Sequence, residues 1–337
     1  MNKSIKIMAN PKGRRRLQYL LGPAVFLLLC YFIARQITHQ INWRASLSEV
    51  GRAITGPLQW RLWLVVVLMP LNWGIEARKW QLALRPVERV SFKNAFRAIF
   101  TGVTLASFTP NRMGEYLGRI LYIKEGHRIS AISLTITCSI AQLLITLAVG
   151  LAGVLYLWPI AQLRFGQQVG LNLGFKALLL IVLILLICLT FIYFRISWIA
   201  DMVARIPFAR KYGAYIKVLQ NFEATILLKI LFLSFGRYIV FIIQYSLIFP
   251  VFGVYMGFGE VCGGMSVVFL AMAIIPTFTF LTELGLRWGA SIKVLELFSG
   301  NLVGIFAASF AIWLINLIIP ALIGSLLILS IKLFKSR

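Results

Sequence analysis

Two acid–base pairs, Glu115 with Arg119 and Glu283 with Arg287, each follow a proline in a chain that is otherwise mostly hydrocarbon. On a helix, a spacing of four puts carboxylate and guanidinium on one face within pairing reach, in the favourable order of acid before base. The first pair closes the stretch Thr109-Pro110-Asn111-Arg112-Met113-Gly114-Glu115-Tyr116-Leu117-Gly118-Arg119. The second lies behind Pro276, in Thr282-Glu283-Leu284-Gly285-Leu286-Arg287. Charges placed inside apolar sequence are costly unless they are paired or wetted, so they mark a site. Taken singly, each pair also fits a kinked helix whose Glu and Arg neutralise one another near an interface. Arg112 has no acid at ideal spacing, which leaves its guanidinium either to bind an anionic group bidentately or to snorkel to headgroups. Upstream, Asn72 and Glu76 stand four apart and share a helix face, directed into a bundle or forming a polar helix end at the headgroups.

Other chemistry lacks its parts. His39 and His127 stand alone, so neither a His-dependent triad nor a paired-His metal motif can form, and Cys30, Cys138, Cys188 and Cys262 lie in separate apolar runs without metal-ligand or redox spacing. Asp201 is the sole aspartate, there is no paired-acid cluster for a metal-bound sugar nucleotide, and no Walker sequence occurs. We therefore expect no metal and no cofactor, and a transporter more than an enzyme.

The elements that must carry these residues are membrane helices. Of 337 residues, 60% are hydrophobic and 13% charged, and the mean hydropathy is +0.87, more apolar surface than a water-soluble fold can hide. The net charge of +24 comes from 34 Lys and Arg against 10 Asp and Glu. These basic residues cluster between apolar runs, as the positive-inside rule requires, which argues for membrane topology and against nucleic acid. Residues 1–16 hold six basic groups and no acid ahead of a long apolar run from Leu17 to Ala34, read as a cytoplasmic N-terminus and an uncleaved first helix. A second run, Leu62 to Ile75, ends at Glu76 with a basic segment from Arg78 to Arg97 beyond it. Ala131 to Trp158 is the next long run, and Pro159 to Gly174 reads as an outside loop. Phe175 to Phe194 crosses back to a basic amphipathic segment at 195–229. Ile230 to Phe252 crosses out, and Leu302 to Ile331 returns to a cytoplasmic C-terminus.

This bookkeeping leaves residues 92–128 and 261–300 each entering and leaving on one face. Broken backbone at bilayer depth is tolerated only where protein or water covers it, so residues 92–128 read as a re-entrant hairpin with its tip near Pro110, or else as a tilted pair of helices sharing that corner, and 261–300 as a second same-side excursion. Glu115 lies five positions after Pro110 and Glu283 seven after Pro276, so the likeness is approximate. The expected fold class is thus an all-α polytopic membrane protein, a single integral membrane domain over 1–337 with two opposed broken-helix hairpins in an approximate inverted repeat.

Arg78-Lys79-Trp80, the Pro110-Asn111-Arg112-x-Gly114-Glu115 motif with Arg119, the stretch near Asn221-Phe222, and the second break with Glu283 and Gly285 together resemble the transmembrane region of lysylphosphatidylglycerol synthases. That region belongs to a broader flippase-like integral membrane family. The resemblance spans most of the chain, although the second break, Thr-Phe-Thr-Phe-Leu-Thr-Glu, is less glycine-rich than the family's usual form. The soluble aminoacyl-transferase domain of full-length synthases has no counterpart in these residues, so the resemblance implies translocation rather than lysine transfer.

The expected function is a translocase moving a phospholipid, aminoacylated lipid or polyprenyl-phosphate-type lipid between leaflets of the cytoplasmic membrane. Arg112, Arg119 and Arg287 would hold an anionic or phosphate-bearing headgroup. Glu115 and Glu283 would position those arginines, contact an amine, or titrate. Asn72, Glu76, Pro110, Asn111, Gly114, Pro276, Thr282 and Gly285 would support them. The alternatives are a membrane transferase acting on a lipid carrier, with Glu76, Glu115 or Glu125 as base or metal ligand, and a non-catalytic partner subunit.

Overall fold

The computed structural model describes residues 31, 48, 51–52, 55–109, 112–165, 169–195, 223–275 and 280–328. The basic segment 1–16, residues Pro110, Asn111 and Pro276, and residues 196–222 of the 195–229 stretch lie outside the described residues, as do the side chains of Thr282 and Glu283.

Every regular element among the described residues is helical: α1 (Gln59–Leu84), α2 (Phe92–Ala106), α3 (Gly114–Ile120), α4 (Arg128–Phe165), α5 (Val169–Phe194), α6 (Ala224–Val251), α7 (Phe258–Ile274), α8 (Phe280–Leu295), α9 (Leu302–Trp313), a π-helical turn (Leu314–Ile318) and α10 (Ile319–Ile328). Hydrocarbon offers no partner to a backbone N–H or C=O, so a chain this apolar satisfies those groups within helices. Among the described residues, four helical stretches, Glu125–Arg164, Leu173–Phe194, Ala224–Val251 and Leu302–Ile328, are long and apolar enough to cross a membrane, with mean hydropathies of 2.2, 3.1, 2.2 and 2.4. The chain is an all-α, multi-pass membrane protein.

Burial ranks these helices. The apolar window of Leu302–Ile328 is 78% buried and forms the centre of the bundle, whereas that of Leu173–Phe194 is 11% buried and turns its leucines and isoleucines outward as lipid-facing surface. Around the central helix, α1 packs along α6, α4 along α7, and α2 against both α3 and α10. Close approach at the last of these contacts depends on glycine: a Cβ on Gly324 would collide with the carbonyl of Phe100, and Thr104 Oγ1 donates to the carbonyl of Ala321 at 2.7 Å.

Two helix pairs double back. α2 and α3 run antiparallel with their backbones in contact: a Cβ on Gly118 would lie 2.5 Å from the Cα of Gly102, and Thr101 and Tyr122 share a hydroxyl contact at 3.1 Å. The open ends of this pair are tied together by Glu88, which accepts from the Lys124 backbone N–H at 3.2 Å and faces His127 Nδ1 at 3.3 Å. α7 and α8 also pack together, the start of α7 at Gly264 facing the end of α8 at Leu295.

Two boundaries differ from the sequence reading. The apolar run ending at Ile75 continues as helix to Leu84, through Pro70, so Glu76 and Lys79 are interior rather than terminal. The expected loop from Pro159 to Gly174 is mostly helix: α4 runs on through Pro159 to Phe165 and α5 begins at Val169. A proline in a helix removes one donor and kinks it, and packing over the neighbouring turns outweighs that loss here.

Candidate functional site

The geometry centres on Glu76. Positions 72, 73, 76 and 79 of α1 fall on one helical face, which turns Asn72, Trp73, Glu76 and Lys79 into the bundle, all of them buried. Three cations converge on the Glu76 carboxylate. Arg119 Nη2 reaches Oε1 at 3.0 Å, while Lys79 Nζ and Arg237 Nη1 reach Oε2 at 2.7 and 2.9 Å. Arg237, from the middle of α6, also donates through Nε to Asn72 Oδ1 at 2.7 Å. Its guanidinium lies over the Trp73 ring at 4.7 Å and near Phe241 at 5.7 Å, so two rings add to its two hydrogen-bonded partners in fixing one planar group.

The chain of charges runs outward from this hub. Arg119 Nη2 also pairs with Glu115 Oε1, and Glu115 Oε2 faces Arg112 Nε at 3.6 Å. Side-chain exposure rises along it, from 2% at Arg119 to 23% at Glu115 and 33% at Arg112, so the network leads from a closed hub to an open mouth. Arg112 takes φ of +58°, the left-handed region that L-residues enter at a cost of about 1–2 kcal/mol. It stands two residues ahead of Gly114, whose N–H donates to Thr109 Oγ1 at 2.6 Å across the break.

A cavity of about 320 Å³ opens against this network. Glu76, Lys79, Arg112, Glu115 and Arg237 line one side. Arg287 of α8, Asn316 of the π-turn, and Ser139, Gln142 and Thr146 of α4 add further polar lining, and apolar side chains such as Trp73, Leu143, Phe241 and Trp313 complete the wall. Arg287 Nη1 donates to Tyr245 Oη at 3.3 Å. The π-turn widens the helix so that the Asn316 carbonyl accepts from Trp73 Nε1 at 3.1 Å, while its buried Oδ1 has no protein donor. The arrangement suits an anion with several acceptor oxygens: planar guanidinium forks, one ammonium and amide groups face a common space.

Of the residues expected from sequence, Glu115 and Arg119 meet as their spacing predicts, and Asn72 and Glu76 both face the interior. Arg287 lies across the same cavity. Gly114 sets the close α2–α3 approach, because a Cβ there would strike the Leu105 carbonyl. Gly285 has open space where its Cβ would be. Arg112 is corrected: an acid three residues on, Glu115, does reach it. Arg237 was missed, and Lys79, read only within the Arg78-Lys79-Trp80 block of the resemblance, was not placed in the site. Lys79 looked like one more residue of a basic interfacial cluster, and only the extra turns of α1 bury it. Arg237 carried a usable signal, a lone arginine within an apolar run.

No protein-family model matches the chain, and comparison with curated proteins and with solved structures returns no similar protein. The fold and site together define the class: a helical membrane protein with a cation-rich cavity inside its bundle.

Proposed function

We propose that this protein is a lipid translocase of the cytoplasmic membrane, which carries an anionic or phosphate-bearing lipid headgroup between leaflets through the cavity around Arg237. One observation carries this reading: in a chain built of apolar helices, the cavity is lined by Lys79, Arg112, Arg237 and Arg287 against Glu76 and Glu115. Cations held at bilayer depth mark a path for a charged group. The headgroup would sit among the guanidinium groups while its acyl or prenyl chains stay in lipid. The membrane potential or a lipid gradient would drive it.

The two antiparallel pairs fit the same reading as re-entrant hairpins of an inverted repeat, entered from opposite faces. A helix of 15, 7, 17 or 16 residues, as in α2, α3, α7 and α8, falls short of the ~20 residues a span needs. Both chain ends would then be cytoplasmic. The resemblance to the flippase-like region of lysylphosphatidylglycerol synthases adds to this reading through the motif around Arg112 and Glu115.

The test is reconstitution of the purified protein in liposomes with a panel of labelled anionic lipids, following loss of label from one leaflet. Translocation that depends on the protein, and falls at least tenfold in Arg237→Gln and Arg112→Ala, is expected. Rates equal to protein-free liposomes for every lipid would sink the reading. Single cysteines at the exposed positions 113 and 285 test the hairpins, since labelling of both from the same face would break the inverted repeat.

A further inference from the structure

A second cavity lies away from the charged one and shares no lining residue with it. It has a volume of about 380 Å³, between α4, α5, α7 and the end of α8, with walls of Val154, Leu157, Trp158, Phe175, Leu178 and Val267. Trp158 and Phe175 stack at 3.6 Å and form one flat side. Val154 belongs to a buried cluster with Leu147, Val182 and Leu270, which closes the groove at that end.

Charge is gathered at the opposite end. Lys293, in the last turn of α8, is the sole charged side chain among the described residues that line the groove. Arg164, in the last turn of α4, donates through Nη1 at 2.8 Å to the carbonyl of Leu297, itself a lining residue. Glu296 faces Lys293 at 4.0 Å, but the lysine side chain is 81% exposed, and a pair so long and so wet leaves its charge available.

Val154 and Arg164 stand ten positions apart on α4, so the groove runs for about 15 Å along the helix. The hydrocarbon of one leaflet is about as thick, half of a ~30 Å core. α5, which supplies Phe175 and Leu178, is the least buried of the four spans, so the groove sits where the bundle meets the bilayer. Apolar walls of leaflet length below two cations match an anionic phospholipid, and basic residues at headgroup level attract such lipids. A zwitterionic headgroup would bring its own ammonium to the same cations and bind more weakly.

We propose that this groove is a binding site for an anionic phospholipid, with one acyl chain along Trp158 and Phe175 and the headgroup phosphate at Lys293 and Arg164. The site is separate from the Arg237 cavity, so it does not rest on the translocase reading.

Bromine quenches tryptophan only at close range, and Trp158 lies about 9 Å below Arg164, near the middle of a leaflet. The full-length protein in liposomes is compared with Trp158→Phe, which keeps a ring against Phe175, and the difference in emission is the Trp158 signal. Phosphatidylglycerol brominated midway along its chains, diluted into phosphatidylcholine, is expected to halve that signal at a mole fraction at least fivefold lower than equally brominated phosphatidylcholine requires. With Lys293→Gln and Arg164→Gln together, the ratio should fall below twofold. Gly174→Leu supplies a block: a Cβ there meets nothing within 4 Å, so the side chain fills the groove without moving backbone, and it should shield Trp158 from both lipids. Equal quenching by the two lipids, or a preference that survives loss of both cations, would overturn the proposal. So would a Trp158 that neither lipid quenches in the unaltered protein, the result expected if a second copy of the chain covers the groove. Should Trp158→Phe fail to fold, native mass spectrometry of protein purified from an equimolar lipid mixture replaces it. At least fivefold more retained phosphatidylglycerol than phosphatidylcholine, lost in Gly174→Leu, is then expected, and equal retention overturns the site.

Discussion

Glu76 and Arg237, 161 positions apart in sequence, meet at 2.9 Å in the interior of the helix bundle. Each is held by further partners, Glu76 by Lys79 and Arg119, and Arg237 by Asn72 and the Trp73 ring. Removing the carboxylate leaves three buried cations facing one another. Glu76→Ala is therefore expected to destabilise the protein by about 3–5 kcal/mol, the range for breaking a buried ion pair from one side. A double cycle of Glu76→Gln and Arg237→Gln should show a coupling of about 0.5–3 kcal/mol in unfolding experiments in detergent. Additive single effects would mean that the two side chains do not share a network.

The charge of Arg237 is only part of its role. Arg237→Lys places an ammonium near Glu76, but a point charge cannot bridge Glu76 and Asn72 while stacking on Trp73. We expect lipid translocation in liposomes to fall about tenfold with the lysine, and undiminished transport would show that the fork geometry is dispensable.

Arg112 separates backbone from side chain. At φ of +58°, a residue with a Cβ is strained and glycine is not. Arg112→Gly should therefore melt higher than Arg112→Ala, by the equivalent of about 1 kcal/mol, while the two lose transport equally because both lack the guanidinium. The reverse order of melting temperatures would contradict the left-handed backbone at this turn.

The contact between α2 and α3 is set by glycine. A Cβ at position 118 would lie 2.5 Å from the Cα of Gly102, backbone that cannot give way without parting the helices. Gly118→Ala is expected to cost about 1–3 kcal/mol, as overpacking does. Gly289→Ala, on an exposed face of α8 with nothing within 4 Å, should be neutral or stabilising by up to about 1 kcal/mol. Thermal unfolding of the two variants side by side gives the comparison.

Local spacing made part of the site legible. A separation of four on a helix is enough to predict that Glu115 and Arg119 pair and that Asn72 and Glu76 share a face, because helical geometry depends on the chain alone. The all-helical membrane class followed from hydropathy for a similar reason, since hydrocarbon leaves the backbone few options. Lys79 was hidden because the end of α1 was placed at Ile75, where the apolar run stops. Helix Gln59–Leu84 continues because α6 and α2 cover the polar face that the run lacks. Pro159 misled in the same way: a helix breaker by propensity, it sits within α4 directly after buried Leu157 and after Trp158, which stacks on Phe175.

What the amino-acid order determined by itself was thus a set of apolar segments, the break at Pro110, and acids and bases placed four apart. Which distant charges would share a cavity was decided only in three dimensions. Arg119 lies 43 positions from Glu76 and Arg237 lies 161 from it, and no periodicity links them. The packing of α1 along α6 and against α2, which carries α3 with it, brings Arg119 and Arg237 within one hydrogen-bond length of a single carboxylate. A hydrogen-bonded ion pair needs its groups within about 3 Å, and side chains fixed to rigid helices cannot travel to meet, so the site exists only where the helices are stacked to make it.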